Sequence, residues 1–292
     1  MFLQQLVNGI TIGSMYALVA IGYSMIFSVL RLINFSNGSM YMLGGYVTLM
    51  LYLRFQGKFM LALICGLLIV GLVGYSIDCF ALRPLRKKKS TRMASLMSTF
   101  GIGIFIDNAV QLLFGSETKQ FPNVLDFGSF QLGNAVISWT QVIIFVICAV
   151  LMALLSLVVY RTKIGRAMRS TAENVDAARL MGVDVKRVIS ATFIVSAVLA
   201  TVAGALVSMY YKTVDLNMSA QVGMKTFAAA VLGGVGVLPG AMVGGLLIGV
   251  LESLGASYIS SGYRDAYAFI IMILVLLLKP NGLLGKQTSS KL

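Results

Sequence analysis

Three carboxylates sit inside or at the edge of long uncharged runs. Asp107 lies about 14 residues into the stretch Met93 to Phe114, Glu252 closes the block that starts at Thr226, and Asp78 follows the run Phe59 to Ile77. Acids at such positions are costly in a membrane and commonly functional, and a proton or sodium relay is the chemistry they would serve. A relay needs several titratable groups in series, however, and this chain has one deep acid and no histidine, so the other reading of Asp107 is a buried acid hydrogen-bonded to a polar residue of another span. The missing histidine also excludes imidazole acid/base catalysis and imidazole-ligated metal. Serines occur in the apolar runs, but without an activating base or a convincing acid pair they make no hydrolase. Cys65, Cys79 and Cys148 are scattered, with neither metal-ligand spacing nor a disulfide framework. No GxxxxGK[ST] loop is present to cradle a nucleotide phosphate. The chain itself is therefore expected to be no enzyme and to hold no cofactor or metal.

Two polar or glycine-rich interruptions could serve a transport path. In Asn34-Phe35-Ser36-Asn37-Gly38-Ser39, side chains that compete for backbone hydrogen bonds crowd the start of an apolar run. They fit a turn between two spans or a helix break facing a pathway, and both can hold at once. The run Gly233 to Gly245, GGVGVLPGAMVGG, is richer in glycine than helix packing alone requires. Gly9-xxx-Gly13, Gly240-xxx-Gly244 and Gly245-xxx-Gly249 have the spacing of close helix contacts. Gly234, Gly236 and Pro239 are candidates for a flexible break facing the solute, as are Asn34, Ser36, Asn37 and Gly38.

These residues must be positioned by membrane helices. Hydrophobic residues make up 58% of the 292 and charged residues only 11%, against about 25% charged in an ordinary globular chain. Apolar runs at Leu6–Leu30, Leu32–Leu53, Phe59–Ile77, Met93–Phe114 (with Asp107 inside it), Val136–Tyr160 and Val188–Tyr211 each suffice to cross a bilayer core of ~30 Å. A block at Thr226–Leu251, interrupted at Leu238-Pro239-Gly240, and a short run at Ala266–Leu278 complete the set. The fold class is all-α, a polytopic membrane protein of about eight or nine transmembrane helices including a broken or re-entrant pair. Residues 1–292 form one domain, and no cleavable signal peptide is expected.

The net charge of +13 reflects loop bias rather than nucleic-acid binding. Arg83–Arg92 holds six basic residues and no acid, and Arg161–Arg187 holds seven basic and three acidic residues. With Arg31, Lys279, Lys286 and Lys291 this puts seventeen of the 23 basic residues on one side, which predicts an external amino terminus and a cytoplasmic carboxyl terminus. Parity then requires residues 222–256 to cross an even number of times or not at all. Two short helices meeting at Pro239, as a tight pair or a re-entrant hairpin, satisfy this. Arg264 and Asp265 are expected to pair at the outer surface.

The stretch RSTAENVDAARLMGVDVKR, residues 169–187, is polar between two apolar runs. Ser170 and Glu173 match a capping box, Gly182 a helix stop, and a helix over 171–182 follows. Ala177, Met181, Ala178 and Val175 would share one face, with Glu173, Asp176, Arg179 and Leu180 on the other. That face suits the membrane surface, the chain's own bundle or a partner's groove.

Asp176-Ala177-Ala178-xxx-Gly182 resembles the EAA-xxx-G signature of ABC-importer permeases, with Asp for Glu and without the usual Ile-x-Leu-Pro downstream. Gly13–Tyr46, Arg161–Val183 and Ala229–Glu252 closely resemble permeases of the LivH type, from high-affinity branched-chain amino acid uptake systems. The resemblance implies a bacterial inner-membrane importer subunit for Leu, Ile or Val. It implies that Glu173, Asp176, Ala177, Ala178, Met181 and Gly182, within the loop 161–187, couple to the ATPases. It also implies two ATPase subunits that bind the ATP, a second permease (LivM-like or a copy of this chain) and an extracytoplasmic binding protein. The alternative is a stand-alone secondary transporter driven by an ion gradient.

Overall fold

The computed structural model describes residues 2–88, 90–124, 128–132 and 135–285. Lys89, Lys286 and Lys291, counted in the charge bias, lie outside the described residues. The helices are α1 (Phe2–Leu30), α2 (Asn37–Arg54), α3 (Phe59–Ser76), α4 (Arg83–Lys87), α5 (Arg92–Phe114), α6 (Trp139–Arg161), α7 (Lys163–Glu173), α8 (Val175–Leu180), α9 (Val185–Tyr211), α10 (Asn217–Gly233), α11 (Leu238–Tyr258) and α12 (Arg264–Leu278). A π-helical segment, Ile77–Leu82, joins α3 to α4 without a break. Seven helical stretches among the described residues are long and apolar enough to cross a membrane, and α2 and α10 add two shorter elements. The chain is a multi-pass helical membrane protein.

Helices α1 and α9 form the buried centre, whereas α5, α6 and α12 turn apolar side chains such as Leu112, Leu157 and Leu277 outward. One end of the bundle carries α4, α7, α8 and the turn between α10 and α11. The other carries two small antiparallel pairs, β1 (Lys119–Gln120) with β4 (Thr213–Val214) and β2 (Ser129–Leu132) with β3 (Ala135–Ser138). These strands were not expected. The β2–β3 hairpin starts α6, because Ser138 and Gln141 form a capping box there, and Gln4 at the start of α1 accepts from the Val136 amide at 2.7 Å.

The interrupted block resolves into α10, 17 residues, and α11, 21 residues, packed side by side. The break expected at Pro239 lies instead at Gly234–Val237, where Gly234 and Gly236 take positive φ. Pro239 sits in the first turn of α11, where a missing N–H breaks no helical bond. The turn packs against Ser28 at the end of α1, so it lies at the basic end of the bundle and not at mid-depth.

The glycine spacings hold α11 in place. A Cβ on Gly13 would lie 2.9 Å from the Leu246 backbone, one on Gly9 would lie 2.6 Å from the Val250 Cα, and one on Gly249 would run into Gly13. Helices associate in lipid largely through such close backbone packing. Gly249→Leu is therefore expected to lower the Tm of the purified protein by about 5 °C or more, an overpacking cost of ~1–3 kcal/mol. Gly101→Ala, at a site with nothing within 4 Å of an added Cβ, serves as the control and should leave Tm unchanged.

Candidate functional site

Both short helices start inside the bundle, and they start against each other. Before α2 the chain passes through Asn34, whose Oδ1 accepts from the Ser36 amide (3.3 Å) and the Ser36 hydroxyl (2.7 Å). This local bonding replaces helical bonds and keeps residues 32–36 out of the helix. Asn37 then donates through Nδ2 to the Val19 carbonyl, about halfway along α1, and accepts from Ser196 at 2.9 Å. Helix α10 starts at the same depth. A Cβ on Gly38 would lie 2.5 Å from the Ser219 carbonyl and 2.9 Å from the Gly223 Cα. The two helices approach this closely because Gly38 has no Cβ, and a Cβ on Gly223 would in turn lie 3.2 Å from the Gly38 Cα.

Ser39, Ser219 and Asp107 meet at this crossing. Ser219 donates to Asp107 Oδ2 at 3.1 Å, and Ser39 lies 3.2 Å from both the Ser219 hydroxyl and the Gly103 carbonyl. They line a cavity of about 170 Å³ whose other walls include Tyr23, Phe35, Phe100 and Phe227. Of the pathway candidates, Asn34, Ser36, Asn37 and Gly38 are buried and build the junction, while their neighbours Phe35 and Ser39 line the cavity. Gly234, Gly236 and Pro239 belong elsewhere. Gly236 lines a separate cavity of about 720 Å³ at the basic end, together with Arg31, Arg169 and Glu173.

That second cavity abuts the polar stretch that carries the EAA-like residues. The single helix expected over 171–182 is two. Helix α7 runs on through Ser170, which bonds back to the Ala167 carbonyl and caps nothing, and Glu173 is its last residue. Asn174 is extended (φ −151°) and its side chain accepts from the amides of Asp176 and Ala177, so Asn174 and not Ser170 caps the helix carrying Ala177. Gly182 stops it at φ +81°. The expected apolar face is also split. Ala178 is buried against the chain's own bundle and Val175 is half-buried, while Ala177 is exposed. Leu180 and Met181 are 89% and 84% exposed at the tip. Glu173 and Asp176 are exposed as well.

The two other acids beside the spans, Asp78 and Glu252, are paired within the fold. Asp78, fully buried, bonds Arg83 (3.1 Å), Arg86 and the Ser190 hydroxyl (2.6 Å), which ties the π-helical segment to α9. The pairing expected between Arg264 and Asp265 is replaced by a network. Arg264 bonds Glu252 at 2.6 Å, and Lys225 bonds Glu252 at 2.9 Å and Asp265 at 2.6 Å. Lys225 and Glu252 are both buried, and desolvation makes a like-for-like exchange of partners between four charges cheaper than leaving one of them unpaired.

Residues 5–277 match the family described as branched-chain amino acid transport system, permease component. The chain is 40% identical to the high-affinity branched-chain amino acid transport system permease protein BraD of Pseudomonas aeruginosa, over 99% of this chain and 98% of that one. It is 39% identical to LivH of Salmonella typhimurium and 38% identical to LivH of Escherichia coli K12, over 99% of this chain and 97% of each relative. No solved structure matches. A helical bundle with a broken-helix junction at its middle and full-length similarity to these permeases leaves one assignment, and the chain belongs to the family of permease components of branched-chain amino acid transport systems.

Proposed function

We propose that this chain is a translocation subunit of an ABC importer for leucine, isoleucine and valine, coupled to separate ATPases through α7 and α8. The observation that carries it is the exposed Leu180–Met181 tip, held out from the bundle between the Asn174 cap and Gly182. Exposed apolar side chains clustered on a polar helix mark a protein contact. The two flexible side chains suit an adaptable groove, and methionine in particular fits irregular surfaces.

The α7–α8 end is cytoplasmic, since the basic residues concentrate there, and the amino terminus, the β1–β4 pair and the β2–β3 hairpin face outside, where an extracytoplasmic binding protein delivers the amino acid. A second permease covers α5. That helix exposes Asn108 and Gln111 within its apolar length, and polar side chains in a span face protein or water rather than lipid. The mechanism is mechanical. ATP draws the two ATPases together, α8 moves with them, and the bundle exchanges outward for inward access. The ATPases and the binding protein must favour one of these states by several kcal/mol for the switch to be complete.

The test is reconstitution of the chain with its second permease, ATPases and binding protein in vesicles containing ATP. Uptake of labelled leucine should require both ATP and binding protein and should be indifferent to protonophores. Gradient-driven uptake by the chain alone, without nucleotide, would establish the ion-coupled alternative.

A further inference from the structure

Building on the proposed function, we infer that Asp107 is a cation subsite of the pathway, which receives the ammonium group of the amino acid while the aromatic wall beside it receives the aliphatic side chain. One carboxylate oxygen, Oδ2, is held by Ser219 at 3.1 Å. The other, Oδ1, is buried with no hydrogen-bond partner among the described residues. A buried carboxylate oxygen without a donor costs free energy until something supplies one. Among the described residues no lysine or arginine lines the cavity. The serines orient the carboxylate and leave its charge uncompensated.

The rest of the cavity suits the other end of a branched-chain amino acid. Phe35 stands edge-on to Phe100 (6.1 Å) and beside Phe227 (6.2 Å), which in turn meets Tyr23 (6.2 Å). These rings form a continuous apolar wall next to the acid and offer π-faces to a passing cation. The volume of about 170 Å³ equals roughly six waters at ~30 Å³ each, enough for a small solute. Position matters as well. The site lies where α2 leaves toward the hairpin end and α10 toward the basic end, and broken helices that meet at mid-depth are where transporters hold their cargo.

Two measurements test this on the complete transporter in vesicles. The first compares Asp107→Asn with the unsubstituted complex. Leucine uptake should fall tenfold or more while ATP hydrolysis stimulated by loaded binding protein and subunit assembly stay within twofold, and Asp107→Glu should recover part of the uptake. Unchanged uptake in Asp107→Asn would overturn the inference. The second measurement does not depend on that variant. Met224 is half-exposed at the cavity. In Met224→Cys, with Cys65, Cys79 and Cys148 replaced by alanine, a cationic methanethiosulfonate should react about tenfold faster than an anionic one after correction for intrinsic rates. Equal rates would sink the cation subsite. An alkali cation would satisfy the same oxygen, so uptake that changes when choline replaces sodium and potassium would also overturn the ammonium assignment. If the unsubstituted complex does not carry leucine with ATP, the proposed function fails, whatever Asp107 does.

Discussion

Gly182→Trp is expected to abolish ATP-driven uptake while the protein stays folded in the membrane at its normal level. Two physical facts combine at this residue. Its φ of +81° lies in the left-handed region, so any side chain strains the stop that ends α8, at a cost of about 1–2 kcal/mol. An indole would also project from the tip beside Leu180 and Met181, where an added Cβ meets nothing within 4 Å. The bundle thus tolerates the change, and a partner seated on the tip does not. ATPases should no longer co-purify in mild detergent, or should hydrolyse ATP without uptake. Leu180→Asp with Met181→Asp removes the apolar contact without touching the backbone, and is expected to lower ATPase co-purification at least tenfold, as loss of ~1.4 kcal/mol or more of contact energy requires. Normal co-purification and normal uptake in both variants would place the ATPase contact elsewhere on the molecule.

The spans were legible because hydropathy is local. Each uncharged run is a helix of nearly the expected length, and the Gly9, Gly13, Gly245 and Gly249 spacings are the α1–α11 seam. Local signals also misled. Ser170 and Glu173 satisfy a capping pattern, but α7 already has its cap at Thr162 and nothing stops it until Asn174. Asn174, three residues before Ala177, was the readable signal, since asparagine is among the best N-caps. What the sequence could not show are contacts between residues far apart along it. Asp107 and Ser219 meet only because α5 and α10 both pack on α2, and no periodicity within either helix encodes that. The same holds for Lys225, which reads as an external loop charge and is in fact buried against Glu252. Glu252 looked like an isolated intramembrane acid, whereas two cations already hold it.

That network predicts the largest effect on stability. Removing Glu252 leaves Lys225 buried with only the half-exposed Asp265, and Arg264 with the Tyr211 hydroxyl at 2.8 Å. Taking one member from a buried ion pair costs about 3–5 kcal/mol, because the remaining charge keeps its desolvation penalty. Glu252→Gln is therefore expected to lower the detergent Tm by well over 5 °C. Lys225→Met should cost less, since Glu252 retains Arg264 and lies near the Tyr16 hydroxyl at 3.5 Å. The double variant distinguishes a coupled network from two independent sites. With both partners gone, no unpaired charge of that pair stays buried, so its loss should fall short of the summed single losses by about 1–3 kcal/mol, readable as a coupling energy from unfolding midpoints. Additive losses would mean that Lys225 and Glu252 do not stabilise one another, and the join between the α10–α11 pair and α12 would then rest on apolar packing alone.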